Sequence, residues 1–385
     1  MQIHIKKGSE RLSDIAEKYG VSEENVRLIN EIPEGECAEG EELLILTPTR
    51  SYTVQQGDTP ERIALRFGLK RRDIYPLNPW LSGEIAVGQT LALGYSRSPL
   101  GMAAANGYFY KGCREQMLRR AMPYLTYVTF AAGVADERGV RRAADFSDEV
   151  RLVSDGGRIP LIRVYDRYAE RYRSSGELSR FAEELIELAR GGGYKGIVLD
   201  ACRLNDSAEE FAAFLMILRR MMIGCDLILI TEINESSPLE FSEYADGSVM
   251  YYPKYAMDEP ACFDEGERAV LCDFAMRGES ARVFIDLPTL ARHGRDYVTV
   301  SEALRYARRW GLPINHNEST LLSHIKDRRQ GEYSFSSLRS IKALLELTGE
   351  LDYTGICFDI MRTPLSHLMM YSAMFKTSYL TPDSL

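Results

Sequence analysis

Five carboxylates in this sequence stand at or near the ends of apolar runs: Asp166, Asp200, Glu232, Asp286 and Asp359. Carboxylates paired across a cleft can protonate a leaving oxygen and activate a water or attack directly, the chemistry of glycoside hydrolysis. Two of the runs end alike, Gly-Ile-x-x-Asp200-x-x-Arg203 and Gly-Ile-x-x-Asp359-x-x-Arg362. If the runs are parallel strands, their C-terminal ends gather these acids at one mouth. A relocated acid pair, Glu232 with Asp200 or Asp359, is one reading. A set of structural ion pairs is the other, and it carries more weight, since such networks also perturb carboxylates. Cys202 could serve as a nucleophile only with a histidine base beside it. His293, His316, His324 and His367 stand in no recognisable spacing to it.

The elements that position these residues follow from periodicity. Residues 194–203, Tyr-Lys-Gly-Ile-Val-Leu-Asp-Ala-Cys-Arg, hold a short apolar run between two amphipathic stretches, Leu178 to Arg190 and Ala208 to Met222. Such a run between helices is a strand buried on both faces. Strands are expected at 106–110, 124–132, 159–165, 196–201, 226–232, 248–252, 282–287 and 354–360, the eight that a closed barrel needs. The predicted fold is therefore α/β, a (β/α)8 TIM barrel over 100–385. The stretch 297–350 is long for one connection. It is read as a small α+β insertion, with a helix from Ser301 to Trp310, an irregular polar segment, and a helix from Phe335 to Leu347.

Ahead of the barrel lies an internal repeat, residues 1–49 and 50–97, closed by a linker at 94–101. The second copy reads Tyr52-Thr53-Val54, a turn at Gln55-Gln56-Gly57-Asp58-Thr59, and a helix through Ile63 to Phe67 ended by Gly68. A second helix follows from Arg71, with Asn78-Pro79 at its end, and Val87 to Leu93 returns as a strand. The first copy follows the same βααβ order but reads Gly8-Ser9-Glu10 at the turn. It also carries an acidic run, Glu31, Glu34, Glu36, Glu39, Glu41 and Glu42.

Composition narrows the function classes. The chain has 385 residues and a formal net charge of −9, which argues against nucleic acid as the main partner. No apolar stretch approaches the roughly 18 residues of a membrane span. Met1-Gln2-Ile3-His4-Ile5 has no signal-peptide character, so synthesis in the cytoplasm without Sec export is expected. The seven cysteines are scattered and never spaced C-x-x-C, which suggests neither a disulfide framework nor a zinc site. No cofactor and no metal is expected.

The second copy's Y-T-V-Q-x-G-D-T, I-A-x-R-F-G, L-N-P and V-G-Q-x-L resemble the LysM module, which binds N-acetylglucosamine polymers such as peptidoglycan and chitin. That resemblance implies a shallow glycan groove near Gly57, Asp58, Thr59, Asn78 and Pro79, with the second copy the better binder. The stretch around Asp200 resembles the fourth-strand signature of family 18 glycoside hydrolases, D-x-x-D-x-D-x-E. Its four acidic positions fall on Lys195, Val198, Asp200 and Cys202, and in that family the last is the glutamate that protonates the leaving oxygen. By the same likeness Tyr252 of Met250-Tyr251-Tyr252 is a sugar-contacting tyrosine, with Asp200 and Asp359 lining the glycan site. A thiol is a weak substitute for the proton donor, with a free pKa of about 8.5. The resemblance, LysM modules followed by a family 18-like barrel, is to spore-germination and cortex-lytic proteins. It implies a wall-binding protein, catalytically inactive by the family route, deposited on the spore surface or cortex, with spore-coat proteins as further partners. A hydrolase working through Glu232, Asp200 or Asp359 is the alternative.

Overall fold

Runs of Ile, Val, Leu and Phe too short for helices pair edge to edge in the computed structural model. It describes residues 1–33, 37–78, 81, 85–96, 99–166, 175–200, 208–233, 244–250, 263, 265–278 and 280–377. Chain contacts divide it into two units. One comprises Met102–Thr289 with Glu346–Met361; the other comprises Met1–Gly101, Leu290–Leu345 and Arg362–Phe375.

The first of these units is the barrel. Its strands in order are Gly101–Phe109, Tyr127–Asp136, Ile159–Asp166, Gly196–Asp200, Ile228–Ile233, Gly247–Met250, Val283–Asp286 and Gly355–Asp359. Each is parallel to its neighbour, and the first pairs with both the second and the eighth, so the sheet closes. Closure removes the free edges of an open sheet. The interior is packed: Ala104, Tyr108, Tyr127, Leu161, Val198, Ile230, Val249, Phe284 and Cys357 form one buried cluster across it. At Gly355 a side chain has no room, since a Cβ there would stand 1.8 Å from the Ala104 carbonyl oxygen of the adjoining first strand.

All eight expected strands are present, and the first starts five residues ahead of the expected 106, at Gly101. The second was expected from residue 124 but starts at Tyr127, because Met122–Tyr124 forms a 3-10 turn around Pro123. It then runs on to Asp136 and turns back as a hairpin with Gly139–Arg142, which lengthens it past 132.

The other unit holds the repeat and the insertion. In the first copy Gln2–Ile5 pairs antiparallel with Glu42–Ile45, and the helices Leu12–Tyr19 and Glu23–Ile29 lie between them in sequence. In the second, Pro48–Thr53 pairs with Thr90–Tyr95 around the helices Pro60–Arg66 and Arg71–Leu77. The insertion is a five-stranded antiparallel sheet with one helix, Val300–Trp310. It starts at Leu290, ahead of the expected 297, because Leu290–His293 turns through Gly294 onto Asp296–Thr299. The segment expected to be irregular is three strands, Ile314–Asn317, Leu322–Asp327 and Gly331–Ser336. Only then does the helix Leu338–Glu350 begin.

Candidate functional site

Parallel register sets the barrel mouth. Asp200 ends the fourth strand level with Glu232 on the fifth, and Asp359 ends the eighth level with Tyr108 on the first. Glu232 is fully buried. Its Oε1 accepts a hydrogen bond of 3.0 Å from the Tyr108 hydroxyl, and its Oε2 accepts one of 2.9 Å from Arg163 Nε. Arg163 Nη2 also donates to Oε2 and lies 3.7 Å from Asp200 Oδ2. The guanidinium stacks 4.1 Å from the centre of the Tyr165 ring, and its Nη1 donates to the Tyr165 hydroxyl. One cation thus joins two of the expected carboxylates.

Burial raises the Glu232 carboxyl above the ordinary range, and Asp200 adds to this by repulsion. Arg163 and the Tyr108 hydroxyl pull the other way without fully offsetting it. Burial likewise lifts Tyr110 well above a free phenol and raises Tyr165. The arrangement is a desolvated ion pair whose two carboxylate oxygens are each already hydrogen-bonded. A general acid must instead point its proton at a substrate oxygen.

The other expected acids separate from this network. Asp286 is buried, and its Oδ1 accepts a 3.5 Å hydrogen bond from the Cys357 thiol, which burial pushes well above a free thiol. Asp359 is half-buried and caps its own turn, accepting from the Met361 amide at 2.8 Å. Asp166 closes the third strand. Of the motif positions, Lys195 is exposed at the opposite end of the fourth strand and Val198 is buried in the barrel interior. Cys202, Tyr252, Pro79 and Arg203 lie outside the described residues. Sequence reasoning missed Arg163, although a charged residue inside Ile159–Asp166, an otherwise apolar run, is the signal that would have found it.

The second copy's turn is equally well ordered. Asp58 Oδ2 accepts 2.8 Å from the Gln55 amide and 2.7 Å from the Tyr52 hydroxyl, and these bonds hold its carboxyl below the ordinary range. Gly57 turns at φ +85°, and Thr59 caps the helix by accepting from the Arg62 amide at 3.2 Å. Asn78 is 0% exposed. Its Nδ2 donates to the carbonyls of Ile74 (2.9 Å) and Ala92 (2.8 Å), while its Oδ1 accepts from the Ala92 amide at 2.8 Å. That side chain pins the second helix to the last strand. Gly57, Asp58 and Thr59 remain at the surface turn.

The domain model for the LysM domain matches residues 52–94. Residues 52–94 are a LysM domain. The spore cortex-lytic enzyme SleL of Bacillus megaterium QM B1551 superposes with a TM-score of 0.76 at 18% identity, over 98% of each chain. SleL of Bacillus cereus gives 0.75 at 17%, again over 98% of each chain. A chitinase from Chromobacterium violaceum gives 0.63 at 15% identity, over 70% of this chain and 98% of its own. At such identities the likeness establishes the fold, a TIM barrel of the kind found in family 18 glycoside hydrolases, and fold alone does not assign an activity. No curated protein sequence matches the chain.

Proposed function

We propose that this protein binds peptidoglycan, or another N-acetylglucosamine polymer, through its LysM domain and does not hydrolyse it. The observation that carries the binding is the LysM domain at residues 52–94, with its Gly57-Asp58-Thr59 turn fully formed. Two features support the absence of hydrolysis. By resemblance Cys202 occupies the place of the proton-donating glutamate. Glu232, the acid best placed to substitute, is fully buried and hydrogen-bonded by Arg163 and Tyr108. The barrel then acts as a glycan-holding or protein-docking body, and residence on the spore surface or cortex belongs to the same proposal, by analogy with the SleL enzymes.

A second reading, a glycoside hydrolase using relocated carboxylates, draws on the raised Glu232 carboxyl level with Asp200. Alanine replacement of Asp200, Glu232 and Asp359, one at a time, separates the two readings. Purified protein should co-sediment with insoluble peptidoglycan and release no reducing sugar, and all three variants should do the same. Sugar release by the parent chain that one of these substitutions abolishes would overturn the first reading and establish the second.

A further inference from the structure

The two copies of the repeat share one architecture and differ in what surrounds them. Their hydrogen bonds correspond at a spacing of 48 residues. Asn30 clamps Val26 and Leu44 as Asn78 clamps Ile74 and Ala92. Glu10 accepts from the Lys7 amide and from His4, as Asp58 accepts from the Gln55 amide and from Tyr52. Gly40 and Gly88 donate to Lys6 and Val54 at the same point, each bond 2.8 Å. Both copies therefore share the same internal hydrogen-bond frame, and beyond the difference at the first turn they diverge in their surroundings.

Those surroundings diverge at the segment joining the second helix to the last strand. In the first copy this is the acidic run, and it is docked on the insertion. The Ile314 amide donates to the Glu39 carbonyl at 2.8 Å. Glu41 is 1% exposed and Arg308 8%, and they pair through Nε to both carboxylate oxygens at 3.1 Å. Arg308 Nη1 also donates to the Glu31 carbonyl at 3.1 Å. Arg339 meets Glu42 twice, its amide at 2.8 Å and its Nε at 2.7 Å. Ala38 is part of the insertion's own apolar core with Ala291, Ala307 and Ile314. Gly40 sits so close that a Cβ would stand 1.9 Å from the Ile314 carbonyl oxygen.

Among the described residues of the second copy none of this is repeated. The positions of Glu41 and Glu42 are occupied by Gln89 and Thr90, and among the described residues nothing lies within 4 Å of where a Cβ would be at Gly88. A buried, multiply hydrogen-bonded charge pair with matching apolar contact is the pattern of a permanent interface rather than of a surface that opens to ligand.

We propose that the first module is a fixed brace of the insertion, and that the second module, which lacks the docking carboxylates and has open space beside Gly88, is the one that takes the sugar. The assignment of sugar to either module rests on the glycan-binding reading above; the docking does not. Its consequence is that the repeat is not a pair of equivalent tethers, so the tandem arrangement gives no avidity by itself.

Hydrogen exchange on the full chain tests both parts. In the parent protein the amides of Ala38 to Glu42 and of Ile314 should exchange slowly. Arg308→Glu should speed their exchange about tenfold or more through local opening, and adding Glu41→Arg should restore protection. Gly40→Ala, which introduces a methyl group where there is no room, should open the same amides with every charge intact. Unchanged exchange at these amides in a folded Arg308→Glu or Gly40→Ala chain would overturn the docking. Adding an N-acetylglucosamine tetramer to the parent chain should then protect Gln55 to Thr59 and leave Lys7 to Glu10 unchanged. Comparable protection of both turns would overturn the division of labour. Protection of neither would refute both that division and the glycan-binding reading, while the exchange of residues 38–42 and 314 still decides the docking on its own.

Discussion

Arg163 is the residue on which the barrel mouth depends. Its side chain is 10% exposed and answers a Glu232 that is 0% exposed. Removing one partner of such a pair strands a charge in a low-dielectric interior, whereas replacing both with apolar groups need not. Arg163→Ala should therefore lower stability by about 3–5 kcal/mol, and Arg163→Met with Glu232→Leu should recover most of that loss, read by urea denaturation of each variant. A similar argument gives a pH dependence. His367 is buried, and its pKa is lowered to about 4 by desolvation. In the unfolded chain it titrates near 6.5. Between those values the unfolded state binds the proton and the folded state does not, so the stabilisation is complete above 6.5 and is lost as pH falls towards 4. The loss is on the order of 3 kcal/mol. Denaturation midpoints at pH 7 and 4.5 should diverge in the parent chain and converge in His367→Leu. Glu10 and Asp58, both held below their ordinary range, act in the same direction at lower pH.

At the scale of the element, the buried asparagines are the decisive feature. Asn30 and Asn78 each hydrogen-bond three backbone groups, one on the preceding helix and two on the last strand. Replacing Asn78 with alanine removes the side-chain partner of the Ala92 amide and carbonyl, while the Ile74 carbonyl keeps the residue 78 amide, at a cost of about 1–3 kcal/mol for a buried group. Exchange protection across Thr90–Tyr95 should fall in Asn78→Ala while the first module, Gln2–Ile45, keeps its own. These asparagines also mark how far sequence reading reaches. Asn78 was legible as a motif residue, but its type suits a ligand contact and a buried pin equally, and only burial separates them. The barrel strands were legible because runs such as Gly-Ile-Val-Leu-Asp are apolar on both faces. The insertion's strands were not, since four-residue pieces such as Leu290–His293 mix charge with apolar residues and depend on a hairpin partner. Arg163 was missed because its meaning lies in Glu232, 69 positions away in the chain.

The whole molecule carries a LysM domain and a barrel that shares its fold with cortex-lytic enzymes and chitinases. In the barrel Glu232 and Asp200 meet Arg163, Asp286 accepts from Cys357 and Asp359 caps its own turn, and the turn of the LysM domain at Gly57-Asp58-Thr59 is formed. Among the described residues no helix is long and apolar enough to cross a membrane, and no cluster of side chains is suited to hold a metal ion. A single incubation tests the central claim most directly: full-length protein with insoluble peptidoglycan, followed by measurement of the bound fraction and of new reducing ends in the supernatant. The account predicts that most of the protein pellets with the wall and that reducing ends stay at the level of a protein-free control. Reducing ends that accumulate in proportion to added protein, and that vanish with Glu232→Ala, would contradict it.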